Sequence, residues 1–226
     1  MDRADEIGAI RRAGKIMKSP PRFPAKSYAD PADYLTAYAE MIAAGWRSID
    51  HAALRQAGDI LLRAYQDGRQ VFACGNGGSA AIADHLECDH LKGVHHTTDL
   101  SPQVRSLTAN VSLLTAIAND FAYDEVFAFP LARLSRAGDV LVTISASGNS
   151  PNIVKAIECA NARGLTSIAL TGFDGGRARR LAQISLHVDI GNYGVVEDIH
   201  QGIMHVLAQF IRQSRIDPDL VGSLRF

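Results

Sequence analysis

The chain has 226 residues, with 23 basic and 24 acidic side chains and a formal net charge of -1 at neutral pH. A charge so near zero gives no electrostatic basis for binding nucleic acid or an anionic membrane surface. The three cysteines form no C-x-x-C pair, which disfavours a disulfide framework or a thiolate zinc site, and no stretch approaches the roughly 20 apolar residues of a membrane span. We therefore expect a cytoplasmic protein with neither nucleic acid nor membrane as a partner.

The first 26 residues are predicted to form an extension ahead of the main domain. The stretch contains three prolines and a basic middle section, and Ile7, Ile10 and Met17 indicate a short amphipathic helix. We favour a flexible arm or an oligomer contact, with a tail that binds another protein as the alternative. The main domain is expected at residues 27–226 and includes two leading helices.

Two helices are predicted before the first strand. Asp30 followed by Pro31 is a typical helix start, because the aspartate side chain can cap the first turn and proline fits its first position. A second helix is predicted over residues 51–65, where apolar residues recur at helical spacing before Gly68. We expect these helices to cover a sheet or to pair with another subunit.

From residue 70 onward, strand-like and helix-like segments alternate. Apolar runs predict five strands, at residues 70–74, 104–109, 139–145, 165–171 and 184–190. Helical patterns stand between and after them, at residues 79–91, 110–119, 123–135, 152–163 and 195–213. This alternation predicts an α/β fold in which helices flank both faces of a five-stranded parallel sheet. Ligands of such sheets bind beyond the carboxyl ends of the strands.

A glycine-rich turn, CGNGGS, joins the first predicted strand to its helix. Free backbone N–H groups at a helix start form a site for an anion or a polyol, which makes the turn residues candidates. His85 and Asp89 follow four residues apart on the helix, so both can reach one metal ion or one substrate atom. The alternatives are packing for His85 and an ion pair with Lys92 for Asp89. The candidate turn residues are Asn76, Gly77, Gly78 and Ser79.

A serine-rich loop, ISASGNSPN, follows the third predicted strand. Gly148 allows a tight turn, and Ser150 with Pro151 is a typical helix start. Because the loop has no lysine or arginine, a phosphate here would be held by neutral donors and the helix dipole. A plain strand-to-helix turn is the alternative, and the glycine-rich turn on another strand strengthens the site interpretation. Neither loop matches a Walker or dinucleotide signature, which disfavours a nucleotide.

The last predicted helix carries Glu197 and His205, about 80° apart around the helix axis. With His85 and Asp89 they would supply two imidazoles and two carboxylates, a set that suits zinc or, less selectively, iron, manganese or nickel. From spacing alone, a hydrogen-bonded core histidine is the commoner explanation of His205, which lies in an apolar run.

Two polar dipeptides have open roles. Asn119 and Asp120 follow a helix end, where they either aim a carboxylate into the site or form a helix C-terminal turn. His95 and His96 lie in the irregular segment after the site helix, and nothing in their spacing assigns them a function.

Four stretches carry a family resemblance between residues 35 and 213, namely CGNGGSAAIADH, LTAIANDFAYDEVF, GDVLVTISASGNSPNIVKAI and LTGFDGG. Together they resemble the sugar isomerase (SIS) domain family and, most closely, the phosphoheptose isomerases. The resemblance implies a flavodoxin-like three-layer sandwich, a homotetramer with sites at subunit interfaces, and a place in lipopolysaccharide heptose biosynthesis. It implies an aldose–ketose isomerase that converts sedoheptulose 7-phosphate to D-glycero-D-manno-heptose 7-phosphate through an enediol with metal assistance.

The resemblance also implies the role of each site residue. Asp89 and His205 would be the catalytic acid/base pair, and one Zn²⁺ would be held by His85, Asp89, Glu197 and His205. Asp89 replaces a family glutamate and is one methylene shorter, so its carboxylate would retreat by ~1.5 Å unless the helix shifts. Glu197 replaces a glutamine, and Ala146 stands where the family usually has threonine. The implied substrate-binding residues are Asn76, Gly77, Gly78, Ser79, Asn119, Asp120, Ser145, Ala146, Ser147, Ser150 and Glu197.

Two alternative functions stay open at this point. Some SIS-domain proteins bind phosphosugars as sensors, or bind the bacterial replication initiator, without isomerase chemistry. The chain could also be an isomerase for a different phosphosugar, because its pocket residues depart from the family pattern. The retained histidines and carboxylates favour an enzyme, since a scaffold does not need them.

Overall fold

The computed structural model describes residues 19–225, so the helix predicted around Ile7, Ile10 and Met17 lies outside the described residues. The described chain begins with two long helices, α1 (Pro31–Ser48) and α2 (His51–Gln66). The side chain of Asp30 accepts a hydrogen bond from the N–H of Ala32 at the start of α1, and Asp50 caps α2 in the same way. Both predicted leading helices are confirmed.

The five predicted strands are confirmed, with helices after each of them. The strands are β1 (Gln70–Gly75), β2 (Gln103–Ser106), β3 (Val140–Ser145), β4 (Thr166–Thr171) and β5 (Ile184–His187). The helices are α3 (Gly78–Cys88), α4 (Val111–Asp120), α5 (Ala128–Leu134), α6 (Pro151–Ala162), α7 (Gly176–Leu181), α8 (Tyr193–Gln213) and α9 (Pro218–Val221). A π-helical segment (Asp89–Val94) continues α3, and a 3₁₀ turn (Tyr123–Glu125) precedes α5.

Two element predictions are wrong in detail. The helix expected over residues 123–135 is divided into the 3₁₀ turn and α5, because Pro130 has no N–H to donate to the carbonyl of Val126. The α-helix expected over residues 79–91 gives way to the π-helical segment at Asp89. The change from α-helix to π-helix thus lies at Asp89, a predicted catalytic residue and metal ligand.

The sheet is entirely parallel, with the strand order β2-β1-β3-β4-β5. This is the flavodoxin-like order, in which the direction of winding changes between β1 and β3. The ends of these two strands are adjacent, since Gly75 pairs with Ile144 in the register. The glycine-rich turn and the serine-rich loop therefore leave the sheet side by side, and the predicted fold class is confirmed.

Two hydrophobic cores cover the two faces of the sheet. Val71 and Val142 point to the face that α1, α2, α3 and α8 cover, and Phe72 and Leu141 point to the face under α4, α5, α6 and α7. The alternation follows from the period of two along a strand. It places α3 and α8, the helices that carry the predicted metal ligands, on the same face. No helix within residues 19–225 is long and apolar enough to span a membrane.

The described part of the predicted extension packs against the domain. The side chain of Phe23 is buried in the core beside Tyr34 and Tyr38. The N–H of Gly191 donates to the carbonyl of Pro21 at 2.8 Å, and Nδ2 of Asn192 donates to the carbonyl of Phe23 at 2.8 Å. These contacts tie residues 21–23 to the beginning of α8, while the domain boundary at residue 26 stays a prediction.

Candidate active site

A cavity of about 160 Å³ opens where β1 and β3 end. It lies between the glycine-rich turn, the serine loop (residues 145–150) and the first turns of α8. Of the predicted substrate-binding residues, those that line the cavity are Asn76, Ser79, Ser145, Ala146, Ser147, Ser150 and Glu197. The structure therefore brings together residues from three segments that are distant in sequence.

The serine loop is held in place through its backbone. Gly148 has φ = +64°, and a Cβ atom there would stand 2.0 Å from the carbonyl oxygen of Gly175, so glycine is required. The N–H of Ala178 donates to the carbonyl of Gly148 at 2.8 Å. The N–H of Gly172 donates to the carbonyl of Ala146, also at 2.8 Å. The stretch LTGFDGG, at the end of β4, thus packs against the serine loop and fixes its backbone.

The serine hydroxyls offer neutral donors next to a helix start. Ser150 is the N-cap residue of α6, yet its side chain makes no capping hydrogen bond, and Pro151 occupies the first helical position. The hydroxyl of Ser145 accepts a hydrogen bond from the N–H of Gly148 at 3.2 Å. An anion in the cavity would therefore meet the free Ser150 hydroxyl and the positive end of the α6 dipole.

Asn76 in the glycine-rich turn is oriented by two residues that the sequence analysis did not identify. Its side-chain amide exchanges two hydrogen bonds with that of Asn152, at 2.9 and 2.8 Å, and its Oδ1 accepts from the hydroxyl of Tyr123 at 3.1 Å. Asn152 is buried at the start of α6. This amide pair fixes the two ligand-facing loops relative to one another.

Asn119 and Asp120 lie outside the cavity lining. Both are exposed at the end of α4, and Nδ2 of Asn119 donates to Oδ1 of Asp120 at 2.8 Å. Gly77 and Gly78 stand exposed at the start of α3. The structure thus leaves these four predicted substrate contacts beside the cavity, and their binding role stays a prediction.

His85, Asp89 and His205 meet on the facing sides of α3 and α8. Nε2 of His85 lies 3.3 Å from Oδ1 of Asp89, and Nε2 of His205 lies 3.5 Å from its Oδ2. One ligand atom from each residue lies within 4.8 Å of the others, and their side chains are 46%, 31% and 38% exposed in the order His85, Asp89, His205. Two imidazoles and a carboxylate at this separation fit a divalent metal ion.

The π-helical segment begins at Asp89 itself. A π-helical turn is wider than an α-helical turn and is frequent at functional sites. Next to Asp89, the buried His90 ring is held by the Tyr65 hydroxyl, with 2.5 Å between the oxygen and Nδ1. Burial lowers the pKa of His90 to about 4, so the ring is neutral near pH 7. The helix thus changes type at the residue that contacts both histidines.

Glu197 does not lie with the three clustered ligands. Its carboxylate packs against the start of α3, where a Cβ atom on Gly78 would stand 2.5 Å from Oε2. Burial raises the pKa of Glu197, and the charge of Asp198 adds to this effect. A carboxylate at this point complements the positive end of the α3 dipole. The structure thus places Glu197 at the cavity, and its predicted metal contact stays a prediction.

Gln201 and Tyr193 are site residues that the sequence analysis missed. Nε2 of Gln201 lies 2.9 Å from Nδ1 of His85 and 3.1 Å from Nε2 of His205. Its position four residues before His205 is a helical spacing that could have identified it. Tyr193 lines the cavity from the first residue of α8, and its ring contacts Phe173, but no motif marks it.

The pair His95–His96 follows the π-helical segment, and His96 lines a second cavity together with Asp89. Nδ1 of His95 contacts the carbonyl oxygen of Leu100 at 2.7 Å, and the carbonyl of His96 accepts a hydrogen bond from Nε of Arg212 at 3.1 Å. These contacts hold the segment between the π-helical turn and β2. A structural role accounts for the His95 side chain and for the backbone of His96.

Comparisons with known proteins identify relatives of the whole domain. The family model of the SIS domain matches residues 33–172. A phosphoheptose isomerase of Colwellia psychrerythraea is 39% identical over 162 residues, which are 70% of this chain and 82% of that protein. The structure resembles phosphoheptose isomerases of Neisseria gonorrhoeae (34% identity, TM-score 0.73) and Francisella tularensis (29% identity, TM-score 0.75). These alignments cover 81% of this chain and 98% and 96%, respectively, of those chains.

Proposed function

The chain belongs to the SIS domain family and, within it, to the phosphoheptose isomerases, and from this premise we propose that it interconverts sedoheptulose 7-phosphate and D-glycero-D-manno-heptose 7-phosphate. The observation that carries the proposal is the placement of a neutral anion-binding loop and a histidine–carboxylate cluster along one helix. Tyr193 and Glu197 reach the cavity from the first turns of α8, and His205 stands two turns beyond Glu197.

The substrate phosphate would bind at the serine loop. Ser145, Ser147 and Ser150 supply hydroxyl groups, and the start of α6 supplies a positive dipole end. Eight residues separate Glu197 from His205, which is about 12 Å along the helix axis. This length favours an open-chain sugar that extends from its phosphate toward His85 and His205. Its hydroxyl groups would then lie beside Asn76, Ser79 and Glu197. Gly77, Gly78, Asn119 and Asp120 would contact the substrate once it is bound.

Asp89 and His205 would move the protons of the isomerisation. In the ketose the carbonyl is at C2, so one of these side chains removes a proton from C1 and the electron pair forms the C1–C2 double bond of an enediol. The proton then returns to C2, while the hydroxyl proton passes from O1 to O2 and leaves the aldehyde at C1. The two side chains lie 3.5 Å apart, close enough to serve adjacent carbon atoms.

A divalent metal, with zinc as our proposal, would be held by His85, Asp89 and His205, for which the observed donor set is suited. When bound, such an ion polarises a carbonyl oxygen and stabilises negative charge on it. The side chains themselves orient the sugar and hold the proton at the Asp89 carboxylate or at the His205 ring.

We also propose a homotetramer of domains that begin at residue 27. Large apolar side chains are exposed on several helices, including Leu35 on α1 at 66%, Val111 on α4 at 67% and Phe210 on α8 at 57%. Exposed apolar surface on several helices is typical of a protein that buries it against other copies. Light scattering on the eluting protein tests the tetramer.

A coupled isomerase assay with C5, C6 and C7 sugar phosphates tests the activity. We expect turnover to be highest with sedoheptulose 7-phosphate and to fall when the protein is treated with a chelator. Activity on a shorter sugar phosphate alone would identify an isomerase for another substrate. Tight binding of a sugar phosphate without turnover, with or without added zinc, would identify a phosphosugar sensor instead.

A further inference from the structure

The amide group of Gln201 stands between the two histidine rings of the site. Its Nε2 atom lies 2.9 Å from Nδ1 of His85 and 3.1 Å from Nε2 of His205, and both rings also approach Asp89. The side chain thus completes a group of four, which we call the histidine cluster (His85, Asp89, Gln201 and His205). The packing of α8 does not require this placement of the Gln201 side chain, because Gln201 lies on the half-exposed side of the helix.

The histidine cluster is built from two matched pairs. His85 and Asp89 are four residues apart at the end of α3, and Gln201 and His205 are four residues apart on α8. Each pair lies on one side of its helix, so the two helices face each other with four side chains, and the His85 ring contacts Gln201 through Nδ1 and Asp89 through Nε2. Every member carries an atom able to ligate a metal, since a side-chain amide has an oxygen with two lone pairs.

Glu197 is directed elsewhere although it lies on the same helix. It stands one turn before Gln201, lines the substrate cavity and packs its carboxylate against Gly78 at the start of α3. Its carboxylate therefore lies where the sugar would bind. Moving it to the cluster would leave the start of α3 without its carboxylate, whereas Gln201 is already in contact with both rings.

We infer that Gln201, and not Glu197, supplies the fourth protein ligand of the divalent metal, an inference that rests on the proposed function for the presence of that metal. A half-turn of the Gln201 amide about its last side-chain bond exchanges Nε2 with Oε1 and turns the oxygen toward the ring nitrogens. The ligand set is then two imidazoles, one carboxylate and one neutral amide. Glu197 remains free to hydrogen-bond the sugar.

Zinc affinity, measured by competition with a chromophoric chelator, tests this assignment without any turnover. Gln201→Leu removes the oxygen, and we expect it to weaken binding at least ~10-fold, the lower range for groups that surround a metal. Gln201→Glu keeps an oxygen and adds a charge, so we expect it to bind zinc as tightly as the unaltered protein or more tightly. Glu197→Gln is expected to change zinc affinity less than ~2-fold. Gln56→Leu, at an exposed glutamine of α2, is the matched control.

The Gln201→Glu variant separates a ligand from a positioning residue. If Gln201 acted only by donating its N–H groups to the histidines, Gln201→Glu would weaken zinc binding as much as Gln201→Leu and would overturn the inference. An unaltered affinity in Gln201→Leu, with a loss in Glu197→Gln, would also overturn it. The visible absorption of bound Co²⁺ should change in Gln201→Leu and stay unaltered in Glu197→Gln. The melting temperature of each chelator-treated variant shows that it is folded.

The same measurements distinguish this inference from the proposed isomerase function. If the unaltered protein binds zinc and the variants rank as expected, but no sugar phosphate is turned over, the function fails and the ligand assignment stands. If the protein is an active isomerase and the zinc affinities rank in the opposite order, the assignment fails and the function stands.

Discussion

The serine loop and the histidine cluster form the two ends of the site, but different interactions hold them in place. The serine loop is buried at Ser145, Ala146 and Gly148, and backbone hydrogen bonds at Ala146 and Gly148 fix its shape. The histidine cluster is partly exposed, and contacts among long side chains on α3 and α8 define it. One end is therefore specified by backbone conformation and the other by side-chain chemistry.

The difference shows which changes each end tolerates. A backbone-defined anion site keeps its geometry when one hydroxyl is removed, because its carbonyl and N–H groups remain in place. The geometry of a cluster of side chains depends on side-chain length and on the helix that carries each residue, and at Asp89 the helix changes from α to π. Four predictions follow this contrast in order of decreasing effect.

Asp89→Asn should abolish most of the isomerase activity and leave the binding of the sugar phosphate nearly unaltered. The amide cannot accept a proton, so we expect kcat to fall by ~10²- to 10⁴-fold, while the equilibrium affinity for the sugar phosphate changes little because the serine loop is intact. Steady-state kinetics and calorimetric binding measure the two effects. Asp59→Asn, at an exposed position of α2, is the control. A loss of affinity as large as the loss of kcat would contradict the division between the two ends.

Gly148→Ala should damage the serine loop through its backbone. The new methyl group would meet the Gly175 carbonyl at a residue with positive φ, and we expect a loss of roughly 2 to 4 kcal/mol in the free energy of unfolding together with a higher KM. Chemical denaturation and initial rates measure both. Gly68 also has a positive φ, but no atom lies within 4 Å of a Cβ added there. Gly68→Ala should therefore lower the free energy of unfolding by only ~1 kcal/mol and leave KM unaltered. Equal costs in both variants would show that Gly175 does not restrain the loop.

Buried histidines should make the helix under the histidine cluster sensitive to acid. Burial lowers the pKa of His200 on α8 to about 4, against an ordinary value near 6.5. Between these values the unfolded chain binds the extra proton, so stability is full above pH 6.5 and falls as the pH drops toward 4. We expect this group to contribute a loss of roughly 2 kcal/mol between pH 7 and pH 5.

Denaturation curves at several pH values measure this loss. His200→Leu should make the dependence on pH shallower by about this amount, whereas His51→Leu, at the exposed start of α2, should leave it unaltered. A pH dependence in His200→Leu as steep as in the unaltered protein would contradict the assignment to His200.

Ser150→Ala should affect binding and leave stability nearly unaltered. The hydroxyl makes no capping hydrogen bond, so its removal should raise KM about 10-fold, as expected for one hydrogen bond to a charged group. Asn110→Ala is the opposite case, because that side chain caps α4 by accepting from the N–H of Leu113 at 3.0 Å. It should cost about 1 kcal/mol of stability with no effect on KM. If Ser150→Ala destabilised the protein as much as Asn110→Ala, the hydroxyl would have a structural role.

Much of the fold could be predicted because helix caps and the spacing of apolar residues are local features of the sequence. Asp30 and Pro31 marked the start of α1, and the alternation of apolar strands with helices marked a parallel sheet whose loops at residues 75–78 and 146–150 share one edge. The i,i+4 spacing of His85 and Asp89 also predicted a common helix face, which is confirmed. The break before α5 and the π-helical turn at Asp89 were missed, although Pro130 was a local signal for the first, since it has no N–H to donate.

The sequence by itself determined the alternation of elements, the two ligand-facing loops and the chemical types of the site residues, because periodicity and spacing are local properties of the chain. Only the tertiary structure decided which helix face of α8 meets α3. That crossing brought Gln201 to the histidines and left Glu197 at the cavity, although both stand at helical spacing from His205. Contacts between segments over a hundred residues apart depend on how two helices pack on one sheet, and no short-range pattern encodes that packing.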